Sequence, residues 1–415
     1  MIDEFLSTRP QTQSLTLLFT TRSERKSHET LTHLQNHLRK SPSFASSKGR
    51  VKLQPEQVDL GDLVSVRALS RRLLSSIPKL DAIVLNAGMA GFTGLNWPLA
   101  VYMVLTDLIH AVTWPSAYCL KSTGDRAKKQ TNLPDEPELG QIFCANVFGH
   151  YMLSHNLMPL LSKSADTPGR IIWISSLEAT KEAFDVNDIQ ALQSPRAYES
   201  IKYLTDVLAL TSALPSTAPW VDSFVSAGSA DTTSKKRTRA TKNSGRSTPS
   251  SKPNIYVSHP GICATSILPL LLPLQYAMMA SFFLARMLGS PWHVLSSYLG
   301  ACAPVWLALA SQSVLDAAEA TYTRLGGGGR VKWGSSCDRR GREKAVCTEV
   351  EGWGFAGVLG GPVLEEDKQR RRKRGAQDLS AEGREEFEEM GRKCWREMEE
   401  LRVQWDEILS RAEAE

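Results

Sequence analysis

Short apolar runs alternate with longer amphipathic stretches along the first part of the chain. Leu15 to Thr21 is apolar and β-branched, and Glu24 to Arg39 then carries leucines at helical spacing. The pair recurs at Val51 to Leu60 and Ser65 to Ile77, and a buried run follows from Leu80 to Leu85. This alternation predicts an α/β fold with a parallel sheet.

The same order continues in the middle of the chain. We predict one long helix from Glu138 to Leu161, a buried strand from Arg170 to Ser175, a helix from Ala197 to Ala213 and a strand from Asn254 to His259. The strands end in Ser, His, Asn, Gly or Pro. Because ligands of open α/β sheets bind outside the carboxyl ends of the strands, we expect these residues to line a crevice.

Two segments are too irregular for this alternation. Residues 89–137 are too long for a simple connection and are rich in aromatic side chains, which predicts a helical lid or a membrane-contacting excursion. Residues 223–253 are rich in Ser, Thr, Lys and Arg, the composition of a disordered basic surface loop. A nuclear or phosphate-binding patch is the less favoured interpretation of that basic run.

A third irregular segment, residues 266–288, is almost continuously apolar. A transmembrane helix needs ~20 apolar residues, and Pro269, Pro273, Gln275 and Arg286 interrupt this run. We therefore expect a substrate lid or an interfacial, monotopic contact with a membrane rather than a span. Burial against the protein's own core is the alternative.

The chain ends in a charged segment, residues 366–415. Its apolar residues recur at three- and four-residue intervals from Phe387 to Ile408, which predicts an amphipathic C-terminal helix. We favour packing on the core over a coiled-coil partner, since the apolar stripe is short. Residues 1–365 then form one α/β domain with insertions.

Length and composition narrow the classes of function. With 415 residues and 42% hydrophobic content, the chain can bury one large core. The formal charge of +5 is concentrated in two basic runs, within 235–246 and 370–374, that we expect to be flexible, so we predict no nucleic-acid partner. The seven cysteines include no Cys-x-x-Cys pair, and we predict no metal site.

Tyr198 and Lys202 are the first candidates for chemistry. Their four-residue spacing places both side chains on one face of a helix. A phenol titrates near ~10, so a neighbouring cation is expected to lower its pKa before it exchanges a proton near neutral pH. Ser175 and Ser176 end a buried strand upstream, where a hydroxyl is placed to bind the same substrate oxygen.

The chain carries a series of short motifs in a fixed order: Asn86-Ala87-Gly88, Asn146, Ser176, Tyr198-x-x-x-Lys202 and Pro260-Gly261. In this order they resemble the short-chain dehydrogenase/reductases. The resemblance implies a Rossmann-like, doubly wound parallel sheet. It also implies that Tyr198 is the general acid, Ser176 orients the carbonyl, Lys202 holds the ribose and tunes Tyr198, and Asn146 supports a proton relay through water.

The same resemblance implies a nicotinamide cofactor. Asp59 is then expected at the adenine, Asn86, Ala87 and Gly88 beside the adenine ribose, and Thr265, with Pro260 and Gly261, at the nicotinamide end. Arg22 follows the strand where this family places a base for the 2′-phosphate, which favours NADPH. A merely solvated basic turn is the alternative for Arg22.

One feature of the family is expected to be missing. Its members open with a strand and a Gly-x-x-x-Gly-x-Gly turn that holds the pyrophosphate, whereas this sequence starts in what resembles the following helix. Gly326 to Gly329 is the only glycine-rich run, and it follows no suitable strand. Either a first exon is absent from the sequence, or the chain is a true truncation that binds cofactor poorly.

Within the superfamily, the chain most resembles the fungal 3-ketosteroid reductases of sterol C-4 demethylation. The insertion at 89–137, the apolar lid and the Lys332-Trp333-Gly334 region carry this resemblance. It implies hydride transfer from NADPH to a 3-keto sterol, giving a 3β-hydroxysterol, beside the other C-4 demethylation enzymes at the endoplasmic reticulum or lipid droplets. A reductase of another lipophilic carbonyl, such as retinal, and a non-catalytic scaffold of that complex remain open.

Overall fold

Strands and helices alternate along the chain as the sequence predicts. The computed structural model describes residues 1–41, 49–94, 96–107, 111, 121–122, 125–163, 168–226, 252–265, 272–370, 372–373 and 375–414. Within these ranges the strands are β1 (Leu15–Thr21), β2 (Val51–Gln57), β3 (Ala82–Leu85), β4 (Phe92–Gly94), β5 (Lys121–Ser122), β6 (Arg170–Ile174), β7 (Asn254–His259), β8 (Lys332–Cys337) and β9 (Glu343–Cys347).

Helices cover the sheet and fill the connections between its strands. A single π-helical turn, Cys144–Phe148, and a 3₁₀ turn, Lys181–Ala183, accompany them. The α-helices of the described ranges are α1 (Ile2–Thr8), α2 (Glu24–Lys40), α3 (Leu63–Ser76), α4 (Trp97–Thr106), α5 (Gln141–Phe143), α6 (Gly149–Asn156), α7 (Met158–Leu161), α8 (Ala197–Thr211), α9 (Ala218–Val225), α10 (Leu272–Met287), α11 (Ser297–Gly300), α12 (Cys302–Leu309), α13 (Gln312–Thr323), α14 (Glu365–Lys368) and α15 (Ala381–Ala414).

The main sheet has the strand order β3-β6-β7-β8-β9. All its pairs are parallel except the last, in which β9 runs antiparallel to β8. β1 and β2 pair in parallel as a separate two-stranded sheet, and β4 pairs with β5. The prediction of an α/β, Rossmann-like fold with a parallel sheet is confirmed, since the central sheet is mostly parallel. Within the described ranges, no strand pairs with both β1 and β3, so β1 and β2 form a sheet of their own.

Strand β6 lies in the middle of the fold and is buried along its whole length. Its alternate side chains enter different cores. Ile171 and Trp173 join the helices α3, α6, α8 and α15, whereas Ile172 and Ile174 join α12 and α13 on the other face. A parallel strand with helices on both faces has to be apolar throughout, which explains the run Arg-Ile-Ile-Trp-Ile.

The long helix predicted from Glu138 to Leu161 is wrong as a single element. The π-helical turn at Cys144–Phe148 separates α5 from α6. A second break precedes α7, where Pro159 stands in the first turn and lacks the amide that a continuous helix requires. Asn146 lies within the π-helical turn, a feature that often marks functional sites.

The C-terminal helix starts at Ala381, so the predicted start at 366 is wrong. The preceding basic run, expected to be flexible, is bonded to the domain where the structure describes it. The Arg370 guanidinium donates to the Cys347 carbonyl at 2.8 Å, and Arg372 pairs with the Glu349 carboxylate. These contacts and the positive φ of Gly375 hold the segment out of a helix.

Packing of the C-terminal helix on the core, the favoured interpretation, is what the structure contains. Trp395 is buried and its indole donates to the Leu208 carbonyl of α8 at 3.0 Å. Tyr151 of α6 donates to the Glu399 carboxylate at 2.7 Å. The helix therefore joins the same hydrophobic cluster as α6 and α8.

The insertions are described only in part. Residues 227–251 of the basic loop and 266–271 of the apolar segment lie outside the described residues. Within 89–137, α4 exposes large apolar side chains such as Val101, Tyr102 and Leu105, and α10 likewise exposes Tyr276 and Phe283. No helix in the described part of the chain is both long and apolar enough to cross a bilayer.

The close approach of α6 to the chain after β2 can be tested at Gly149, the first residue of α6. A Cβ at this position would lie 2.2 Å from the Leu60 carbonyl oxygen, so Gly149→Ala should lower the free energy of unfolding by about 1–3 kcal/mol. Gly383→Ala in α15 is the control, since its nearest neighbour lies at 3.4 Å. Urea unfolding of both variants measures the difference, and equal stabilities would contradict the close approach.

Candidate active site

The end of strand β6 presents two serines with different surroundings. Ser175 is buried, and its hydroxyl donates to the Lys202 carbonyl at 3.2 Å. The Ser176 hydroxyl is half-buried, accepts the Glu178 amide at 3.1 Å and is hydrogen-bonded to the Tyr198 hydroxyl. Ser176 is therefore the serine that faces the tyrosine, as the sequence analysis expected.

Tyr198 and Lys202 lie one turn apart near the start of α8. The Lys202 ammonium lies 5.7 Å from the centre of the Tyr198 ring and donates to the Ile174 carbonyl at 2.8 Å. Both side chains lie beside the carboxyl end of β6, where Ser175 and Ser176 leave the sheet. The structure thus brings Ser176, Tyr198 and Lys202 together.

Burial dominates the protonation of these groups. It raises the pKa of Tyr198 to about 12, an effect opposed by the hydrogen bond from Ser176. It lowers the pKa of Lys202 to about 8, with Asp206 acting in the opposite direction and Lys332 adding to the lowering. The expected lowering of the phenol pKa is absent from this arrangement, and the phenol keeps its proton at neutral pH.

Asn146 connects the π-helical turn to the loop after β3. Its side-chain amide donates to the carbonyls of Met89 and Ile142, both at 2.8 Å. Its oxygen lies 2.2 Å from the place where a Cβ of residue 88 would stand, so Gly88 has to be a glycine. The side chain therefore holds the Asn86-Ala87-Gly88 turn, and its part in a proton relay stays a prediction.

His150 is a functional candidate that the sequence analysis missed. It is buried, and its Nε2 lies 2.7 Å from the Ala87 carbonyl, which requires the proton on Nε2. Burial lowers the pKa of His150 to about 4, so the ring is neutral. The available signal was its spacing of four residues from Asn146, which places both side chains against the same turn.

Asn86, Ala87 and Gly88 themselves are exposed after β3. His150 holds the Ala87 carbonyl, and Asn146 holds the carbonyl of Met89 directly after the three residues, so an adenine ribose would meet a fixed, accessible backbone. This arrangement fits the cofactor contact that the family resemblance implies. The cofactor, when bound, would supply the hydride of the reaction.

The remaining cofactor candidates lie at the carboxyl ends of their strands. Arg22 is exposed immediately after β1, beside the Ser23 side chain that caps α2. Asp59 is exposed after β2 and accepts the Gly61 amide at 2.9 Å. Thr265 is exposed at the last described position before the gap that ends at α10. The hydrogen bonds that the structure shows at the Ser176 and Tyr198 hydroxyls, to each other and to the Glu178 amide, do not involve these three residues.

Pro260 and Gly261 follow β7 beside the same edge of the sheet. Gly261 adopts a φ of +69°, and its amide donates to His259 Nδ1 at 3.1 Å. The other ring nitrogen of His259 bonds the Thr348 hydroxyl at 2.8 Å. The turn is therefore anchored to the segment after β9.

A cavity of about 1340 Å³ lies next to the serine and tyrosine but is not lined by them. Leu177 and Glu199, each one residue beyond a catalytic candidate, line it together with Trp292. Much of its remaining lining is charged, including Arg372 and Glu351. This chemistry does not suit an apolar sterol skeleton, so we do not assign the substrate to it.

Known family profiles give no match to this chain. Curated proteins do. The chain is 57% identical to the 3-keto-steroid reductase erg27 of Aspergillus fumigatus, over 100% of this chain and 92% of that protein. It is 37% identical to the 3-keto-steroid reductase ERG27 of Gibberella zeae, over 99% and 91%, and 29% identical to that of Schizosaccharomyces pombe, over 81% and 80%.

Solved structures are less similar to this chain. Salutaridine reductase from Papaver somniferum has a TM-score of 0.36 at 16% identity, over 64% of this chain and 82% of that one. A 7α-hydroxysteroid dehydrogenase has a TM-score of 0.37 at 15% identity, over 71% and 77%. On the strength of its curated relatives and of its ordered motifs, the chain belongs to the fungal 3-keto-steroid reductases, oxidoreductases of the short-chain dehydrogenase/reductase superfamily.

Proposed function

We propose that this protein reduces the 3-keto group of a sterol to a 3β-hydroxyl with NADPH. The observation that carries the proposal is the hydrogen-bonded pair of hydroxyls, Ser176 and Tyr198, above the Lys202 ammonium at the end of β6. The relatives from Aspergillus fumigatus and Gibberella zeae are named as 3-keto-steroid reductases, which supports this substrate class.

The protein's own groups account for the proton half of the reaction. Ketone reduction adds a hydride to the carbonyl carbon and a proton to the oxygen. The Ser176 hydroxyl binds and orients the carbonyl oxygen, and Tyr198, protonated at neutral pH, donates its proton to it. The Lys202 cation beneath the ring then stabilises the phenolate that remains.

Tyr198→Phe tests the proton donor. Removing the hydroxyl should lower kcat for ketone reduction by about 10²–10⁴-fold while NADPH binding changes little, because positioned general acids contribute on that order. Turnover of a panel of 3-keto sterols, retinal and other lipid ketones with purified protein, together with cofactor titration, measures both quantities.

Tyr203→Phe is the matched control for that experiment. Tyr203 lies on the same helix, is buried, and donates to the Glu351 carbonyl rather than to the Ser176 hydroxyl. Its loss should cost stability and leave kcat nearly unchanged. Equal turnover by Tyr198→Phe and the wild type would remove Tyr198 from its role, and preference for a non-steroid ketone would replace the substrate.

The choice of NADPH rests on Arg22. Its exposed guanidinium at the end of β1 is placed to pair with a 2′-phosphate. The neighbouring Arg25 is instead paired with Glu29 at 3.0 Å on the outer face of α2. Arg25, three residues from Arg22 in the sequence, is therefore a suitable control for the effect of Arg22 on cofactor binding.

Arg22→Ser should weaken NADPH binding by about 10- to 100-fold and leave NADH binding nearly unchanged, as expected for one charge-assisted contact. Arg25→Ser should change neither. Fluorescence titration of both cofactors gives the dissociation constants. A parallel loss for NADH, or no loss for NADPH, would refute the assignment of Arg22 to the 2′-phosphate.

We also propose a peripheral, cytosol-facing position on the endoplasmic reticulum membrane or on lipid droplets, with α10 as the contact. Arg286 is the only charged residue of α10, and it turns inward to donate to the His293 and Val294 carbonyls. The outer face keeps exposed apolar side chains, among them Met279 and Phe283. An exposed, uncharged and apolar helix face of this kind suits insertion into a membrane interface.

Phe283→Glu should reduce co-flotation with phosphatidylcholine vesicles by about tenfold or more, since burying one such side chain contributes roughly 1.5–3 kcal/mol. Val403→Glu, at a similarly exposed apolar position of α15, is the control and should float like the wild type. If the wild type does not float, or if both variants float equally, α10 is not the membrane contact.

A further inference from the structure

A buried ion pair lies next to the Ser176 peptide, close to the Ser176 and Tyr198 hydroxyls. Lys332, the first residue of β8, is 4% exposed, and its ammonium lies 2.6 Å from an Asp206 carboxylate oxygen that belongs to α8. The same ammonium donates to the Ser176 carbonyl at 2.8 Å. One lysine therefore joins the second strand-end serine to the helix that carries Tyr198 and Lys202.

The position of Asp206 follows from the helix period. Tyr198, Lys202 and Asp206 stand four residues apart, so they share the face of α8 that lies against the end of β6. Lys202 binds the Ile174 carbonyl, and Lys332 binds the Ser176 carbonyl. The two ammonium groups thus hold alternate carbonyls on either side of Ser175.

Ser176 needs such an anchor because it lies beyond the sheet. The last ladder bond of the strand is donated by the Ser175 amide to the Ser258 carbonyl at 2.8 Å. The direction of the next hydroxyl depends on how the following peptide is held. Lys332 holds that peptide by its carbonyl, and the Ser176 hydroxyl then points to Tyr198.

A contribution to the stability of the fold does not by itself explain the buried pair of Lys332 and Asp206. Removing two charges from water costs several kcal/mol, and well-packed apolar residues often replace a buried ion pair without loss of stability. We propose that Lys332 and Asp206 form a positioning pair that fixes the Ser176 peptide for carbonyl binding. This inference rests on the proposed reductase function and adds two residues that act through Ser176 without touching the ketone.

The test separates positioning from folding. Lys332→Met leaves the buried Asp206 carboxylate without its ion-pair partner and with only the hydrogen bond to Ser175. It should lower both the melting temperature and kcat, with kcat falling about 100-fold as for a displacement of roughly 1 Å. Lys332→Met/Asp206→Leu removes both charges and should recover the melting temperature. Its kcat should stay low, while the dissociation constant of NADPH remains within about twofold of the wild type.

The conservative variant and a remote pair complete the design. Lys332→Arg keeps donors for both acceptors and should retain more of kcat than Lys332→Met. Arg330→Met/Glu319→Leu removes a similar pair two residues earlier in the chain, joined at 2.7 Å and away from Ser176. It should leave kcat unchanged at temperatures where the variant is folded.

Hydrogen exchange gives a readout that needs no turnover. The Glu178 amide, bonded to the Ser176 hydroxyl at 3.1 Å, should exchange faster in both Lys332→Met variants and at the wild-type rate in the Arg330 control. Wild-type kcat and Glu178 exchange in Lys332→Met/Asp206→Leu would overturn the inference. A wild type without ketone turnover would instead refute the proposed function, and faster Glu178 exchange would still support the anchor.

Discussion

The fold depends on burying β6 on both faces. Alternate side chains of this strand enter two separate cores, so its backbone has no freedom to tilt or to slip by one residue. The strand also lies between β3 and β7, and its ladder bonds are parallel on both sides. The residues that leave its carboxyl end therefore start from a fixed point, and the candidate site is built there.

The same burial decides the electrostatics of the site. Polar groups near the end of β6 are removed from water and have to be paired inside the protein. Lys202 and Lys332 find backbone carbonyls, and His150 becomes a neutral donor to Ala87. Desolvation raises the pKa of Tyr198, so its phenol is protonated at neutral pH, which is the form that a proton donor requires.

The order of strands and helices was predictable from the sequence because it follows from local periodicity. Where the helices of the structure differ from the predicted ones, the cause is not visible in the hydrophobic periodicity. The start of the C-terminal helix at Ala381 depends on bonds from Arg370 and Arg372 to the sheet. The division of the helix near Asn146 depends on a π-helical turn and on Pro159. Pro159 was visible in the sequence and should have ended the predicted helix.

The candidate site divides in the same way. Ser176, Tyr198 and Lys202 were found because their spacing and strand-end position form a pattern along the chain. His150 was not singled out, and Lys332 was named only as part of a region that resembles the family, because their partners are distant in sequence, 63 residues away at Ala87 and 126 residues away at Asp206. In this protein, the candidate catalytic side chains belong to short sequence motifs. The side chains that position them by hydrogen bonds come from distant parts of the sequence that the fold brings close.

The strands β8 and β9 also support the site. Lys332 stands at the start of β8, and the segment after β9 bonds His259 beside the Pro260-Gly261 turn. The last strands and the C-terminal part therefore reach the site from behind and hold both the serine loop and that turn. Lys332 and Thr348 thus support the reaction centre without belonging to its sequence motifs.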